Sequence, residues 1–142
     1  MRLTAYTNYA LRTLMYAALA APRLVRVQDV ADAHGISRAH LVKCVHRLGQ
    51  WGYLDNLRGR HGGFRLAKPA EEIRIGDIVR LTAESFTEGI GAETAKLAEE
   101  EALFAALDRA QVAFLDLLDR HTIADVIGND GVLRARLGFE VG

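Results

Sequence analysis

"RGRHGGFRLAKP", residues 58–69, sets three arginines and a lysine around a glycine pair, and its apolar residues Phe64 and Leu66 alternate. Just before it, YLDNL (residues 53–57) places Tyr53 and Asp55 on one face and Leu54 with Asn56 on the other. Two short alternating runs around a glycine-bearing loop read as a β-hairpin. Gly59, Gly62 and Gly63 allow positive φ angles and close backbone approach in such a loop. The open question is why so small a hairpin carries so cationic a tip.

The residues upstream supply a frame for it. MRLTAYTNYALRTLMYAALAAP has helical spacing, with Leu11, Leu14, Met15 and Ala18 on one face and Pro22 ending the run. VQDVADAHG predicts a short helix with Val27, Val30 and Ala31 inward and Gly35 as the left-handed residue after its last turn. Ser37 is then a natural N-cap for SRAHLVKCVHRLGQWG, in which Leu41, Cys44, Val45 and Leu48 form an i, i+3, i+4, i+7 stripe. Helix, helix-turn-helix and hairpin in that order are a winged helix-turn-helix, and the hairpin loop is the wing. The predicted fold is therefore mainly α with a small β-hairpin wing, followed by a long helix.

A helix-turn-helix places its second helix in the major groove of double-stranded DNA, with the N-terminal side chains near base edges. The residues expected there are Ser37, Arg38, His40, Lys43 and Arg47. The wing reaches flanking phosphates or a narrow minor groove, which assigns Arg58, Arg60, His61, Gly62, Gly63 and Arg65 to the same contact. Any one of these arginines alone is more often an ordinary surface residue. From Ile36 to Lys68, however, seven basic residues face the single acid Asp55. Across the chain the charge is split, with a net of +7 over residues 1–80 and −7 over 81–142, so only the first part attracts a polyanion.

Composition narrows the class. With 142 residues, half of them hydrophobic, the chain can bury a core as one compact domain or as a small domain with a helical extension. Its N-terminal apolar residues are interrupted by Asn8, Arg12 and Thr13, well short of the roughly 20 apolar residues of a membrane span. No secretory pattern is read there, and the expected location is cytoplasmic. The lone Cys44 excludes an internal disulfide and a multi-cysteine metal site built by one chain. No nucleophile–base arrangement, phosphate loop or metal motif appears, and the five histidines lack HExxH and zinc-finger spacing, so an enzyme is not expected.

Beyond residue 102, Leu103, Leu107, Ala110, Phe114, Leu117 and His121 recur at 4, 3, 4, 3, 4 spacing, the seam of a two-helix coiled coil. Leu115 and Leu118 widen that face, so part of it can also pack on the winged domain. The expected organisation is a DNA-binding domain at 1–82, a linker at 83–102, and a dimerisation helix with its C-terminal segment at 103–142. A homodimer also supplies the symmetry of a palindromic site.

MRLTAYTNYALRTLMYAA, ISRAHLVKCVHRLGQWGYL, RGRHGGFRLAKP, IRIGDIVRLTAESF and RHTIADVI, in this order, resemble the NsrR/IscR/RirA family of bacterial winged helix-turn-helix regulators. The resemblance implies a dimeric DNA-binding transcription factor, commonly a repressor. It also implies an iron-sulfur cluster on three cysteines between the winged domain and the dimer helix, with an acidic fourth ligand from the first helix in some members. Here the corresponding stretch, residues 84–104, contains no cysteine, and Asn8, with Arg12 one turn later, stands at the fourth-ligand position. The expectation is therefore no cofactor and no metal, with a cluster on unusual ligands as the alternative. Glu88, Glu93, Glu99, Glu100 and Glu101 are explained by a solvated helix start without a ligand. Cys44 has two readings, a redox thiol beside Lys43, His46 and Arg47 or a member of the core stripe, and the second is expected. The signal remains open between redox, iron or nitric oxide and an unknown metabolite or protein effector.

Overall fold

The computed structural model describes residues 3–83, 100–128 and 131–139. The chain runs α1 (Ala5–Ala20), α2 (Val27–His34), α3 (Arg38–Gln50), β1 (Leu54–Leu57), β2 (Gly63–Leu66), a 3-10 turn (Ala70–Glu72), α4 (Ile75–Thr82), α5 (Glu101–Leu118), α6 (Ile123–Ile127) and α7 (Gly131–Arg136). The expected helix, helix-turn-helix and wing are all present. Most of the expected linker, residues 84–99, lies outside the described residues.

Helix α1 is the post around which the others pack, touching α3, α4, α6 and β2. Its buried side chains include Thr7, Ala10, Thr13, Leu14 and Ala17, while Leu11, Met15 and Ala18 are only half-buried. Leu14 of the apolar stripe is fully buried and Leu11, Met15 and Ala18 pack against the core at its edge, but the buried face extends beyond that stripe to Thr7 and Thr13. Two threonines account for the difference, because their hydroxyls carry their own partners into the core. Thr13 Oγ1 donates to the Tyr9 carbonyl at 2.7 Å, and Thr82 Oγ1 lies 2.7 Å from both Thr7 Oγ1 and the Ile78 carbonyl. A satisfied hydroxyl can be buried without the desolvation penalty of an unpaired one.

In the helix-turn-helix, Leu41, Cys44, Val45 and Leu48 are buried as the stripe requires. Gly35, at φ 65°, closes α2 in the left-handed region. Ser37 does occupy the N-cap of α3, but its hydroxyl makes no capping bond. The side chain that caps here is Asp29, whose carboxylate accepts from the Arg26 N–H at 2.9 Å at the start of α2.

The wing pairs antiparallel with Leu54 opposite Leu66, Asp55 opposite Arg65, Asn56 opposite Phe64 and Leu57 opposite Gly63. It has a third member that the sequence did not announce. Val25 and Phe64 exchange two backbone hydrogen bonds, both 2.8 Å, so the segment before α2 pairs with β2. The Phe64 ring is 2% exposed, a burial worth about 1.5–3 kcal/mol. A Cβ on Gly63 would lie 2.6 Å from the Val25 carbonyl oxygen, which explains the glycine beside it. Asn56 Nδ2 donates to the Val45 carbonyl at 3.2 Å and ties the wing to α3. A Cβ on Gly49 would collide with that amide.

The C-terminal segment folds back onto the first part. Ile75 N–H donates to the His121 carbonyl at 2.9 Å, and Ile123 N–H donates to the Ile73 carbonyl at 2.8 Å, which lays α6 against α1. Thr122 and Asp125 form a reciprocal capping box at the start of α6. Phe139 packs on Tyr16 with ring centroids 4.9 Å apart. His121 is therefore not on the helical seam, since α5 ends at Leu118 and the chain turns to offer the His121 carbonyl to α4.

Arg80 on α4 grips Asp119 at the end of α5 with two hydrogen bonds of 2.7 and 2.8 Å. A Cβ on Gly76 would run into the Asp119 carboxylate, so this glycine makes room for the pair. Those hydrogen bonds from Arg80 hold the Asp119 carboxyl below its usual range. A depressed folded value stabilises the fold above the ordinary carboxylate pKa of about 4, and the contribution is lost as pH falls through the folded value. Asp119→Asn should thus lower stability at neutral pH by about 1 kcal/mol, the scale of a partly exposed pair after screening. The gap to wild type should close in strong acid. Urea unfolding of both proteins across the acid range checks this, and a gap that does not change with pH would contradict it.

Candidate nucleic-acid interface

The stripe of α3 that faces the core leaves the opposite face to solvent. Arg38, His40, Lys43 and Arg47 are all exposed there, together with Ser37. The His40 ring stacks on Tyr9 of α1, with centroids 6.0 Å apart and planes 19° apart. Arg47 lies 6.0 Å over the Trp51 ring, a cation–π contact that limits its freedom. Val42 is 42% exposed between these polar residues. An outward apolar side chain on such a helix is suited to a thymine methyl group. Sequence periodicity had marked neither Tyr9 nor Val42, because neither interrupts the helical pattern.

The wing tip sits beside this face. A cleft of about 450 Å³ opens between α2, α3 and the wing, lined in part by Arg26, Arg38, Arg60 and Asn56. Arg26 was absent from the residues expected at the site, yet its Nη2 donates to the Arg60 carbonyl at 3.4 Å. Its position follows from the Val25–Phe64 pairing, which no local pattern in the sequence signals. Gly59 takes φ 110°, in the left-handed region, whereas Gly62 is needed for close approach because a Cβ there would meet the Leu57 carbonyl oxygen. Arg58 and His61 are exposed around the same loop.

Arg65 is separated from that cleft. It lies across the strands from Asp55 at 3.9 Å, with both side chains more than half exposed, and borders a different hollow with Lys68 and Glu71. An exposed pair of this kind contributes about 0–1 kcal/mol, but it does neutralise part of the arginine's charge locally. The cations expected to act together therefore divide, with Arg38 and Arg60 converging and Arg65 set apart.

On α5, Gln111 and Leu115 are buried against the same chain and Phe114 is half-buried. Leu103, Leu107, Ala110 and Leu117 are exposed, the first and last at more than half their surface. The helix thus uses one stripe on its own domain, and the described residues leave most of the expected seam uncovered.

Cys44 points into the core and is fully buried, and burial pushes its thiol up to about 12. At neutral pH it is a thiol and not the thiolate that redox chemistry uses.

An outward basic face on a helix-turn-helix, flanked by a wing with a basic tip, defines a DNA-binding transcriptional regulator. The chain belongs to the Rrf2 family, described as an iron-dependent transcriptional regulator, whose family model matches residues 3–129. It is 39% identical over 142 residues to the HTH-type transcriptional regulator NsrR of Bacillus licheniformis, covering 96% of this chain and 99% of that protein. The NsrR of Shouchella clausii is 41% identical over 145 residues, with coverage of 99% and 97%. Among solved structures, the oxidised form of Staphylococcus aureus CymR matches with a TM-score of 0.70 at 27% identity, covering 89% of this chain and 96% of its own. T. potens IscR matches at 0.73 with 20% identity, over 89% and 86% of the two chains, a likeness of fold. These relatives are regulators and not enzymes, as the sequence led one to expect. No helix among the described residues is long and apolar enough to cross a membrane.

The residues present do not fit an iron-sulfur cluster. Such clusters are held by cysteine thiolates, and the only cysteine in the sequence is the buried, protonated Cys44. Asn8 is exposed on α1 and offers a neutral amide where a ligand was implied. Glu88, Glu93 and Glu99 lie outside the described residues, and Glu100 and Glu101 stand at the start of α5. Carboxylate oxygens are hard donors, poorly matched to iron-sulfur chemistry.

Proposed function

We propose that this protein is a homodimeric repressor that binds a palindromic promoter element in the cytoplasm and does so without an iron-sulfur cluster. Residues 1–82 bind DNA in this reading, 83–102 link, and 103–142 carry dimerisation. The observation that carries it is the alignment of Arg38, His40, Lys43 and Arg47 on the exposed face of α3 beside the Arg58 and Arg60 wing tip. The exposed Leu103, Leu107, Ala110 and Leu117 support self-association, because two copies would bury a stripe that one copy leaves in water. The buried Cys44 acts as a core residue, and the signal is a metabolite or a protein partner.

DNA binding is tested at the wing and the helix separately. Arg58→Ala with Arg60→Ala should weaken binding to every duplex and reduce the salt slope by about one for each phosphate no longer neutralised. Arg65→Ala should do less, because Asp55 already faces it. Arg38→Ala should instead change sequence preference, at a cost of about 1–3 kcal/mol for a base edge left without its partner. A double wing variant with an unaltered salt slope would remove the wing from the interface.

Assembly is tested with Leu117→Asp, which would bury an unpaired carboxylate in the seam. Sedimentation should show monomers and operator affinity should collapse; a variant that stays dimeric would refute this seam. The cofactor reading predicts that protein purified without oxygen is colourless and that its DNA binding ignores nitric oxide and iron chelators. Near-stoichiometric iron and sulfide in that preparation would overturn it.

A further inference from the structure

The cleft between α2 and the wing is lined by three arginines from three separate segments: Arg26 before α2, Arg38 at the start of α3, and Arg60 in the wing loop. Among the described residues, none of the three has a carboxylate within ion-pair distance, in contrast to Arg65 and Arg80, which do. No acidic side chain among the described residues lines the cleft. Arg26 donates to a neutral acceptor, the Arg60 carbonyl, and makes no ion pair among the described residues while its side chain spans from α2 to the wing. Arg26 and Arg60 on one open cleft favour an anion seated between α2 and the wing, with Arg38 at the α3 edge left for a base.

We propose that this cleft seats a phosphodiester of the bound duplex and that Arg26 is its anchoring residue, clamping one backbone phosphate between α2 and the wing. The inference rests on the DNA-binding reading and adds to it a residue and a position. A guanidinium fits this task because its fork can donate to a phosphate oxygen while another N–H remains on the Arg60 carbonyl. Arg26 thereby also sets the distance of the wing from α3, since the carbonyl it holds lies in the wing loop. The Val25–Phe64 pairing fixes the backbone next to it, so the clamp starts from a rigid base.

The test is anisotropy titration of wild type, Arg26→Ala and Arg26→Lys against two duplexes over a salt series. One duplex has random sequence, and the other is selected for tight binding to wild type. Arg26→Ala should weaken binding to both by a similar factor, about tenfold, and reduce the salt slope by about one per bound protomer. Arg26→Lys should retain the slope and recover only part of the affinity, because an ammonium is a compact charge without the fork. Arg26 is exposed, so melting temperatures of the variants should match wild type and separate a binding loss from a folding defect. An unchanged slope and affinity in Arg26→Ala would overturn the clamp. A loss confined to the selected duplex would overturn it too, by making Arg26 a base contact. A selection that yields no duplex bound by wild type would instead bring down the DNA-binding reading itself.

Discussion

The two 2.8 Å backbone hydrogen bonds between Val25 and Phe64 join the segment that enters the helix-turn-helix to the strand that leaves the wing loop. A hairpin of two four-residue strands is marginal by itself in water. Pairing with Val25 adds a third segment, and the buried Phe64 ring fastens it to the core. The wing then has a defined position relative to α2 and α3, which a freely hinged hairpin would lack. Every close approach around it follows from that position, including the missing side chains at Gly63 and Gly49 and the Asn56 bond to α3.

The second half of the chain is organised by a different constraint. Its return through Ile73, Ile75, His121 and Ile123 lays α6 against α1, and the Arg80–Asp119 pair fixes the end of α5 to α4. With its C-terminal end fixed in this way, α5 buries Gln111 and Leu115 on its own chain, packs Leu118 against the core and keeps Leu103, Leu107 and Leu117 outward. The sign of the charge changes across the same division, from +7 in the residues carrying the wing to −7 in those carrying α5. A polyanion is thus attracted to the first part of the chain and repelled from the second, which carries the residues proposed to pair subunits.

The family's link to iron and the donors in this chain point in different directions. Cluster assembly requires exposed thiolates, whereas the single thiol here is a packing element of the recognition helix, opposite Thr13 of α1. The same burial that makes Cys44 useful to the core pushes its thiol up to about 12, away from the thiolate that redox chemistry uses.

How much could be read beforehand depended on the range of the interactions. The stripe of α3, the Gly35 turn and the cationic loop were all readable, because helical period, a left-handed glycine and a hairpin each depend on residues a few positions apart. The exposed basic face followed at once, since burying Leu41, Cys44, Val45 and Leu48 leaves Arg38, Lys43 and Arg47 no other side. The apolar spacing of α1 leaves out Thr7 and Thr13, which look polar until Tyr9 and Thr82 are seen to satisfy or contact their hydroxyls. The seam was extended one residue type too far, to His121, because spacing cannot register that α4 claims that carbonyl. Val25 as a strand residue and Arg26 as a neighbour of Arg60 left no trace in the sequence pattern. A one-residue bridge has no period, and the 34-residue separation of Arg26 and Arg60 is closed by tertiary packing.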